Sequence, residues 1–228
     1  MKKLQTTLIL MRHGQSEWNR LNQFTGWVDI PLSQLGVQES LEAGKKIAHL
    51  PIDVIFVSSL IRAQMTAMLA MIAHSSGKIP CIQHQGEGKL ENWAHIYNKI
   101  AEENCIPVIA AWELNERMYG KLQGLNKQET IERFGASQVQ KWRRSYDGAP
   151  PEGESLEMTA ARALPYFKRV IMPYLNAGQN VFISAHGNSL RAIIMYLESL
   201  SQEQVVGLEI PTGEPIVYNF SYDKWEKK

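Results

Sequence analysis

The chain has 228 residues, of which 44% are hydrophobic and 21% are charged, and its formal net charge is +1. This composition is ordinary for a globular protein and gives no general attraction to nucleic acid or to an anionic membrane. The length allows one large domain or two small ones, and because no Gly/Ser/Pro-rich linker divides the chain, we expect one domain over residues 1–228.

Short apolar runs alternate with segments of helical spacing. In the first half of the chain the patterns predict a strand at 7–11, a helix capped by Ser33, a strand at 54–57 and a helix that Ser58 and Ser59 open. A mixed excursion at about 74–107 follows, with one helix near 93–103, and then a strand at 108–111. The second half predicts a helix at 127–144 broken at Gly135, a loop at 147–153, a helix at 154–175 interrupted by two prolines, a strand at 181–184 and a helix at 190–200. Such alternation predicts an α/β fold, with three layers around a mostly parallel sheet.

The two cysteines, Cys81 and Cys105, lack CxxC spacing, which argues against a disulfide framework and against a thiolate metal site. Met1-Lys2-Lys3 resembles the basic start of a signal peptide, but the apolar run at 8–11 is too short for its core. No stretch approaches the roughly 18 apolar residues of a membrane span. We therefore expect a soluble, cytoplasmic protein.

Two predicted strands end in similar sequences. The first strand leads into His13-Gly14-Gln15-Ser16, and the strand at 181–184 leads into His186-Gly187-Asn188-Ser189. Ligands of open α/β sheets bind outside the carboxyl ends of the strands, so neighbouring strands would direct both imidazoles into one crevice. A glycine after each histidine would let the backbone turn sharply and approach a ligand closely.

Arginines near these histidines favour an anion over a metal ion. Arg12 precedes His13 directly, and Arg62 lies in the first turn of a predicted helix, where the helix dipole also favours an anion. No carboxylate or third histidine stands at a recognisable metal-ligand spacing. A neutral histidine can attack phosphorus, and surrounding cations stabilise the charged transition state. The pattern therefore predicts a phosphoryl-transfer site.

Arg12-His13-Gly14 followed by Trp18-Asn19 resembles the signature of the histidine phosphatase superfamily, specifically its cofactor-dependent phosphoglycerate mutase branch. Similar stretches run through nearly the whole chain, at 24–27, 59–63, 114–120, 122–127, 142–145, 186–191 and 210–213. The resemblance implies an isomerase of glycolysis and gluconeogenesis that interconverts 3-phosphoglycerate and 2-phosphoglycerate through a phosphohistidine. It also implies 2,3-bisphosphoglycerate as primer, no metal, and a homodimer.

The resemblance also implies roles for individual residues. His13 would be the phosphorylated nucleophile and Glu116 the general acid and base. Arg12, Arg62 and His186 would hold the transferred phosphoryl group. The remaining implied substrate-binding residues are Asn19, Thr25, Gly26, Arg117, Tyr119, Lys127, Arg143, Arg144, Gly187 and Asn188.

Some positions depart from the family pattern. Gln15 and Met118 stand where many relatives have Glu and His, and both the stretch at 144–154 and the tail after Phe220 are short. A mutase must keep water from its phosphohistidine, so these departures bear on the ratio of mutase to phosphatase activity. A phosphatase on the same scaffold is therefore the main alternative, and a non-catalytic module that binds a phosphorylated ligand is a second.

Overall fold

The computed structural model describes residues 5–228, so the expectation for Met1-Lys2-Lys3 lies outside the described residues. Within that range one sheet has the strand order β3-β4-β2-β5-β1-β6-β7. The five strands from β3 to β1 run parallel, and β6 and β7 are antiparallel additions. The bounds are β1 Thr6–Arg12, β2 Val54–Ser58, β3 Ile79–Ile82, β4 Cys105–Ala111, β5 Val181–Ala185, β6 Pro215–Ser221 and β7 Lys224–Lys227.

Helices connect these strands. They are α1 Glu17–Arg20, α2 Gln34–Ile47, α3 Ile61–Ile72, α4 Lys89–Trp93, α5 Lys99–Glu103, α6 Lys127–Phe134, α7 Ala136–Arg144, α8 Leu156–Tyr166, α9 Met172–Asn176, α10 Gly187–Glu198 and α11 Gln202–Gly207. A π-helical turn at Phe167–Ile171 joins α8 to α9.

Two apolar cores lie on opposite faces of the sheet, because successive side chains of a strand point to opposite faces. Leu8 and Leu10 of β1 pack in one core with residues of α9 and α10. Ile9 and Met11 pack in the other with residues of α2 and α3. All four side chains are fully buried. The predicted three-layer α/β/α architecture with a mostly parallel sheet is confirmed.

Several predicted boundaries are confirmed and others are wrong. The break at Gly135 is confirmed, since this residue has φ +83° between α6 and α7. The single helix near 93–103 is wrong: two short helices occur instead, and Asn98 caps the second through its side chain. The excursion at 74–107 also contains strand β3, which was not predicted. The helix expected to open at Ser58-Ser59 begins at Ile61, because Ser58 still belongs to β2.

The cysteine expectation is corrected, since Cys81 and Cys105 form a disulfide with a Cα–Cα distance of 5.8 Å. Their strands, β3 and β4, are parallel neighbours in which Cys81 pairs with Pro107 and Cys105 with Ile79. Only this pairing brings the two thiols together, and the sequence does not reveal it. No helix within residues 5–228 is long and apolar enough to cross a membrane.

Candidate active site

The two similar strand ends are neighbours, as predicted. β1 and β5 run parallel with Arg12 opposite Ala185, and the backbone N–H of His13 donates to the carbonyl of Ala185 at 3.0 Å. The imidazole centroids of His13 and His186 lie 4.9 Å apart. The carboxyl ends of these two central strands therefore form the floor of the site.

The ring of His13 is held in one tautomer. Its Nδ1 lies 2.6 Å from the carbonyl oxygen of Gly14, which can only accept, so Nδ1 carries the hydrogen and Nε2 keeps a lone pair. Burial, followed by Arg62 and Arg12, holds the pKa of His13 well below its usual value, and this outweighs the opposing effect of the Gly14 carbonyl. The ring is therefore neutral, with a lone pair available at Nε2.

His186 lies against the same site but is fully buried. Its Nε2 is 2.6 Å from the hydroxyl of Ser58 at the end of β2. Burial, and then Arg62, holds the pKa of His186 well below its usual value. Both imidazoles are thus neutral, and the fixed cations near them are arginines.

Within residues 5–228, Arg62 and Arg12 each retain a guanidinium donor without a protein partner. Arg62 donates to the carbonyls of Gly26 at 2.8 Å and Val28 at 3.0 Å, while Arg12 donates to the carbonyl of Ile210 at 2.8 Å. Burial lowers the pKa of Arg62 to about 10, which leaves it charged at neutral pH. Among the described residues the buried Nε atoms of both arginines have no partner. Buried, charged and partly unsatisfied donors suit a bound oxyanion.

Two carboxylates line the cavity within residues 5–228, and because Glu209 pairs with Arg144, the unpaired one is Glu116. Its Oε1 accepts from the backbone N–H of Arg117 at 2.7 Å and from the amide Nδ2 of Asn188 at 2.6 Å. Its backbone carbonyl accepts from Trp27 Nε1 at 2.5 Å and from Arg162 at 2.9 Å. Hydrogen bonds therefore fix both the side-chain carboxylate and the backbone carbonyl of Glu116.

These groups line a cavity of about 140 Å³. Desolvation, and then the charge of Arg143, lowers the pKa of Lys127 to about 8. Arg144 pairs with Glu209 at 2.6 Å.

The predicted site residues that line the cavity are Arg12, His13, Asn19, Thr25, Gly26, Arg62, Glu116, Tyr119, Lys127, Arg143, Arg144, Gly187 and Asn188.

Two predicted site residues do not line this cavity. His186 is buried behind it, and Arg117 turns away and is 1% exposed. The guanidinium of Arg117 donates to the hydroxyl of Tyr119 at 3.1 Å and to the carbonyl of Arg143 at 3.3 Å. Arg117 thus supports two lining residues from behind. Met118, noted for its departure from the family, is also outside the lining.

Sequence reasoning missed five lining residues: Gln23, Phe24, Arg191, Glu209 and Ile210. Arg191 could have been found, because it stands three positions after Asn188 on a helix and therefore shares its face. Glu209 and Ile210 reach the site from a distant part of the chain. Ile210 opens the family-like stretch 210–213 but was given no role, and no local pattern marks Glu209.

Of the glycines after the two histidines, only Gly14 is required by close packing, and at neither position does the backbone need the conformational freedom of glycine. Neither has a positive φ. A Cβ on Gly14 would come within 2.3 Å of the backbone oxygen of Gly36 on α2. A Cβ on Gly187 would lie 3.8 Å from Glu116 Oε2, at ordinary contact distance. Gly14 therefore lets α2 approach the nucleophile strand.

Comparisons with known proteins agree with this geometry. The model of the histidine phosphatase superfamily (branch 1) matches residues 8–87 and 88–228. A 2,3-bisphosphoglycerate-dependent phosphoglycerate mutase of Protochlamydia amoebophila is 62% identical over 221 residues, which cover 97% of this chain and 98% of that protein. The 2,3-bisphosphoglycerate-dependent phosphoglycerate mutase 1 of Arabidopsis thaliana is 57% identical, and the match covers 100% of this chain and 68% of that protein. The solved structure of Mycobacterial hydrolase 1 shares the fold, with a TM-score of 0.75 at 20% identity over 98% of this chain and 97% of that one.

Proposed function

This chain belongs to branch 1 of the histidine phosphatase superfamily, and we propose that it interconverts 3-phosphoglycerate and 2-phosphoglycerate, primed by 2,3-bisphosphoglycerate. It would act in glycolysis and gluconeogenesis. The observation that carries the proposal is the neutral imidazole of His13, buried beside the charged guanidiniums of Arg12 and Arg62. The names of relatives with 57–62% identity over most of this chain support the same substrate.

The cation content of the cavity supports a substrate with two anionic groups. Arg12 and Arg62 suffice for one phosphoryl group, and the same lining also holds Lys127, Arg143 and Arg144. A phosphoglycerate carries a carboxylate as well as a phosphate, so it needs this second group of cations. Asn19, Thr25, Gly26 and Tyr119 supply further polar contacts, with Arg117 behind them.

In the first step the lone pair of His13 Nε2 attacks a phosphorus of 2,3-bisphosphoglycerate. The N–P bond forms, the P–O bond to the glycerate breaks, and the leaving oxygen takes a proton from the carboxyl group of Glu116. Arg12, Arg62 and His186 stabilise the transferring phosphoryl group, with Gly187 and Asn188 beside it.

In the second step a phosphoglycerate hydroxyl gives its proton to the Glu116 carboxylate and attacks the phosphorus of phosphohistidine 13. Bisphosphate then reorients in the cavity and returns its other phosphoryl group to His13. No step needs a metal ion. The primer regenerates in every cycle unless water intercepts the phosphohistidine.

The test is conversion of 3-phosphoglycerate to 2-phosphoglycerate, with and without catalytic 2,3-bisphosphoglycerate, under excess EDTA. We expect turnover that depends on the primer, survives chelation and disappears in His13→Ala. A matched control is His95→Ala, which removes an exposed imidazole from the excursion. Phosphate release without isomerisation would assign the chain to the phosphatases instead. A chain that neither isomerises nor hydrolyses, yet binds the substrates, would be a binding module.

We also propose that the chain acts in the cytoplasm as a homodimer, on small phosphoglycerates and not on nucleic acid or membranes. Exposed apolar side chains support a second copy as partner, since Trp93, Tyr97 and Ile100 lie in the excursion that also supplies edge strand β3. An edge strand can pair with its own copy around a two-fold axis. Sedimentation of the wild type and of Trp93→Ser tests this: a monomeric wild type would overturn it.

A further inference from the structure

The two carboxylate oxygens of Glu116 are in different environments. Oε1 accepts two hydrogen bonds, from the backbone N–H of Arg117 at 2.7 Å and from Asn188 Nδ2 at 2.6 Å. Oε2 accepts no hydrogen bond from the described residues and lies 3.8 Å from the Cβ position of Gly187, which lines the cavity together with Glu116. A proton added to Glu116 would displace a donor at Oε1 but none at Oε2. Proton exchange with substrate therefore belongs to Oε2.

One of the two hydrogen bonds to Oε1 depends on the orientation of the Asn188 amide, whereas the other comes from the backbone of Arg117. If the Asn188 side chain were flipped, its oxygen would face the carboxylate oxygen and repel it. Arg191 prevents the flip, because its Nη1 donates to Asn188 Oδ1 at 3.2 Å. A guanidinium has only donors, so the amide atom that faces it must be the oxygen. The nitrogen then faces Glu116.

Arg191 is itself held in place. Its Nε donates to the carbonyl of Leu208 at 2.8 Å, so one edge of the guanidinium is anchored while the other reaches Asn188. Arg191 follows Asn188 by three residues on α10, which places both on one helix face. The hydrogen bonds thus form a continuous series from the Leu208 carbonyl through Arg191 and Asn188 to Glu116.

We propose that Arg191 is a positioning residue for the proton transfer: it fixes the amide of Asn188, which occupies Oε1 of Glu116 and leaves Oε2 to exchange the proton. The proposal rests on the proposed function of Glu116 as the acid and base. It predicts that replacing Arg191 slows phosphoryl transfer most when the leaving group must be protonated. A glycerate oxygen leaves as a poor alkoxide unless it is protonated, whereas p-nitrophenolate leaves without a proton.

The experiment compares these two leaving groups in Arg191→Met. We expect the rate of His13 phosphorylation by 2,3-bisphosphoglycerate to fall by about 10- to 100-fold, at or below the lower end of the roughly 100- to 10,000-fold contribution of general acid catalysis, because Arg191→Met misplaces the acid without removing it. The burst of p-nitrophenolate from p-nitrophenyl phosphate should change less than about 3-fold, as should KM for 3-phosphoglycerate. Arg169→Met is the matched control, because it removes an exposed arginine distant in sequence from α10.

Equal losses with both leaving groups, or a raised KM with unchanged kcat, would overturn the proposal and make Arg191 a structural or substrate-binding residue. Asn188→Ala combined with Arg191→Met should cost little more than either change alone, since both interrupt the same series. If Arg191→Met does not fold, Arg191→Gln carries the same comparison. Failure of the proposed function is separate: wild type would then phosphorylate His13 without isomerising 3-phosphoglycerate, and the leaving-group comparison would still apply.

Discussion

The free energy of unfolding should fall in mild acid because His13 and His186 are buried as neutral imidazoles. Burial holds the pKa of both well below the usual value, so below pH about 6.5 the unfolded chain binds protons that the folded chain does not. Because proton binding is linked to unfolding, the free energy of unfolding rises with pH wherever the unfolded chain binds more protons, and it declines as the pH falls through about 6.5. If both rings stay neutral, going from about pH 7.5 to about pH 5.5 removes about 1.4 kcal/mol for each histidine and about 2.8 kcal/mol for the pair.

Urea unfolding at about pH 7.5, 6.5 and 5.5, followed by tryptophan fluorescence and circular dichroism, measures this loss. His13→Gln should retain about half of the pH dependence, because His186 still titrates on unfolding. His95→Gln is the matched control and leaves both buried imidazoles in place. Burial raises the pKa of Glu154, but hydrogen bonds from Arg162 and from the backbone N–H of Met118 outweigh this and lower it. The stability that Glu154 contributes is therefore lost only below about pH 4.5, outside the window. A wild-type free energy that is flat between about pH 7.5 and 5.5, or a His13→Gln variant with the full slope, would refute the reasoning.

Three further predictions concern binding and stability. The kcat/KM for 3-phosphoglycerate should fall above pH about 8, where Lys127 of the substrate-free enzyme loses its charge. In steady-state assays, Lys127→Arg should shift this decline to higher pH. Gly14→Ala should destabilise the fold by about 1–3 kcal/mol in thermal unfolding, because its Cβ would meet the backbone oxygen of Gly36 at 2.3 Å; an unchanged Tm would contradict that contact. Reductant should lower the free energy of unfolding by about 3 kcal/mol by opening the disulfide between Cys81 and Cys105, and Cys105→Ser should be insensitive to it.

The central strands could be predicted because each is buried on both faces and is therefore a continuous apolar run. The outer strands could not. β3 is only four residues long and contains Pro80, which argues against a strand. β7 is mostly charged and has no apolar run. β6 is defined by its antiparallel pairing with β1, more than 200 residues away in the chain. Such edge elements depend on neighbours that local patterns do not specify.

The candidate site was predictable where a sequence motif directly follows the end of a predicted strand. His13 and His186 could be paired from sequence because both follow buried strands, and parallel strands end at the same edge of a sheet. Side-chain direction was not predictable for Arg117, which follows Glu116 directly but is buried behind Tyr119. Adjacency in a motif does not say which side of an irregular segment a residue faces.

The segment 208–210, which follows α11, explains how the cavity holds so many cations before any anion binds. Like charges packed together repel each other, most strongly where burial lowers the effective dielectric. The carbonyl of Leu208 accepts from Arg191, and the carbonyl of Ile210 accepts from Arg12. Each carbonyl offsets part of the repulsion and fixes one edge of a guanidinium, which orients the remaining donors of Arg12 toward the cavity and Nη1 of Arg191 toward Asn188. Because these donors are oriented before the phosphoryl group arrives, little reorganisation is required during its transfer.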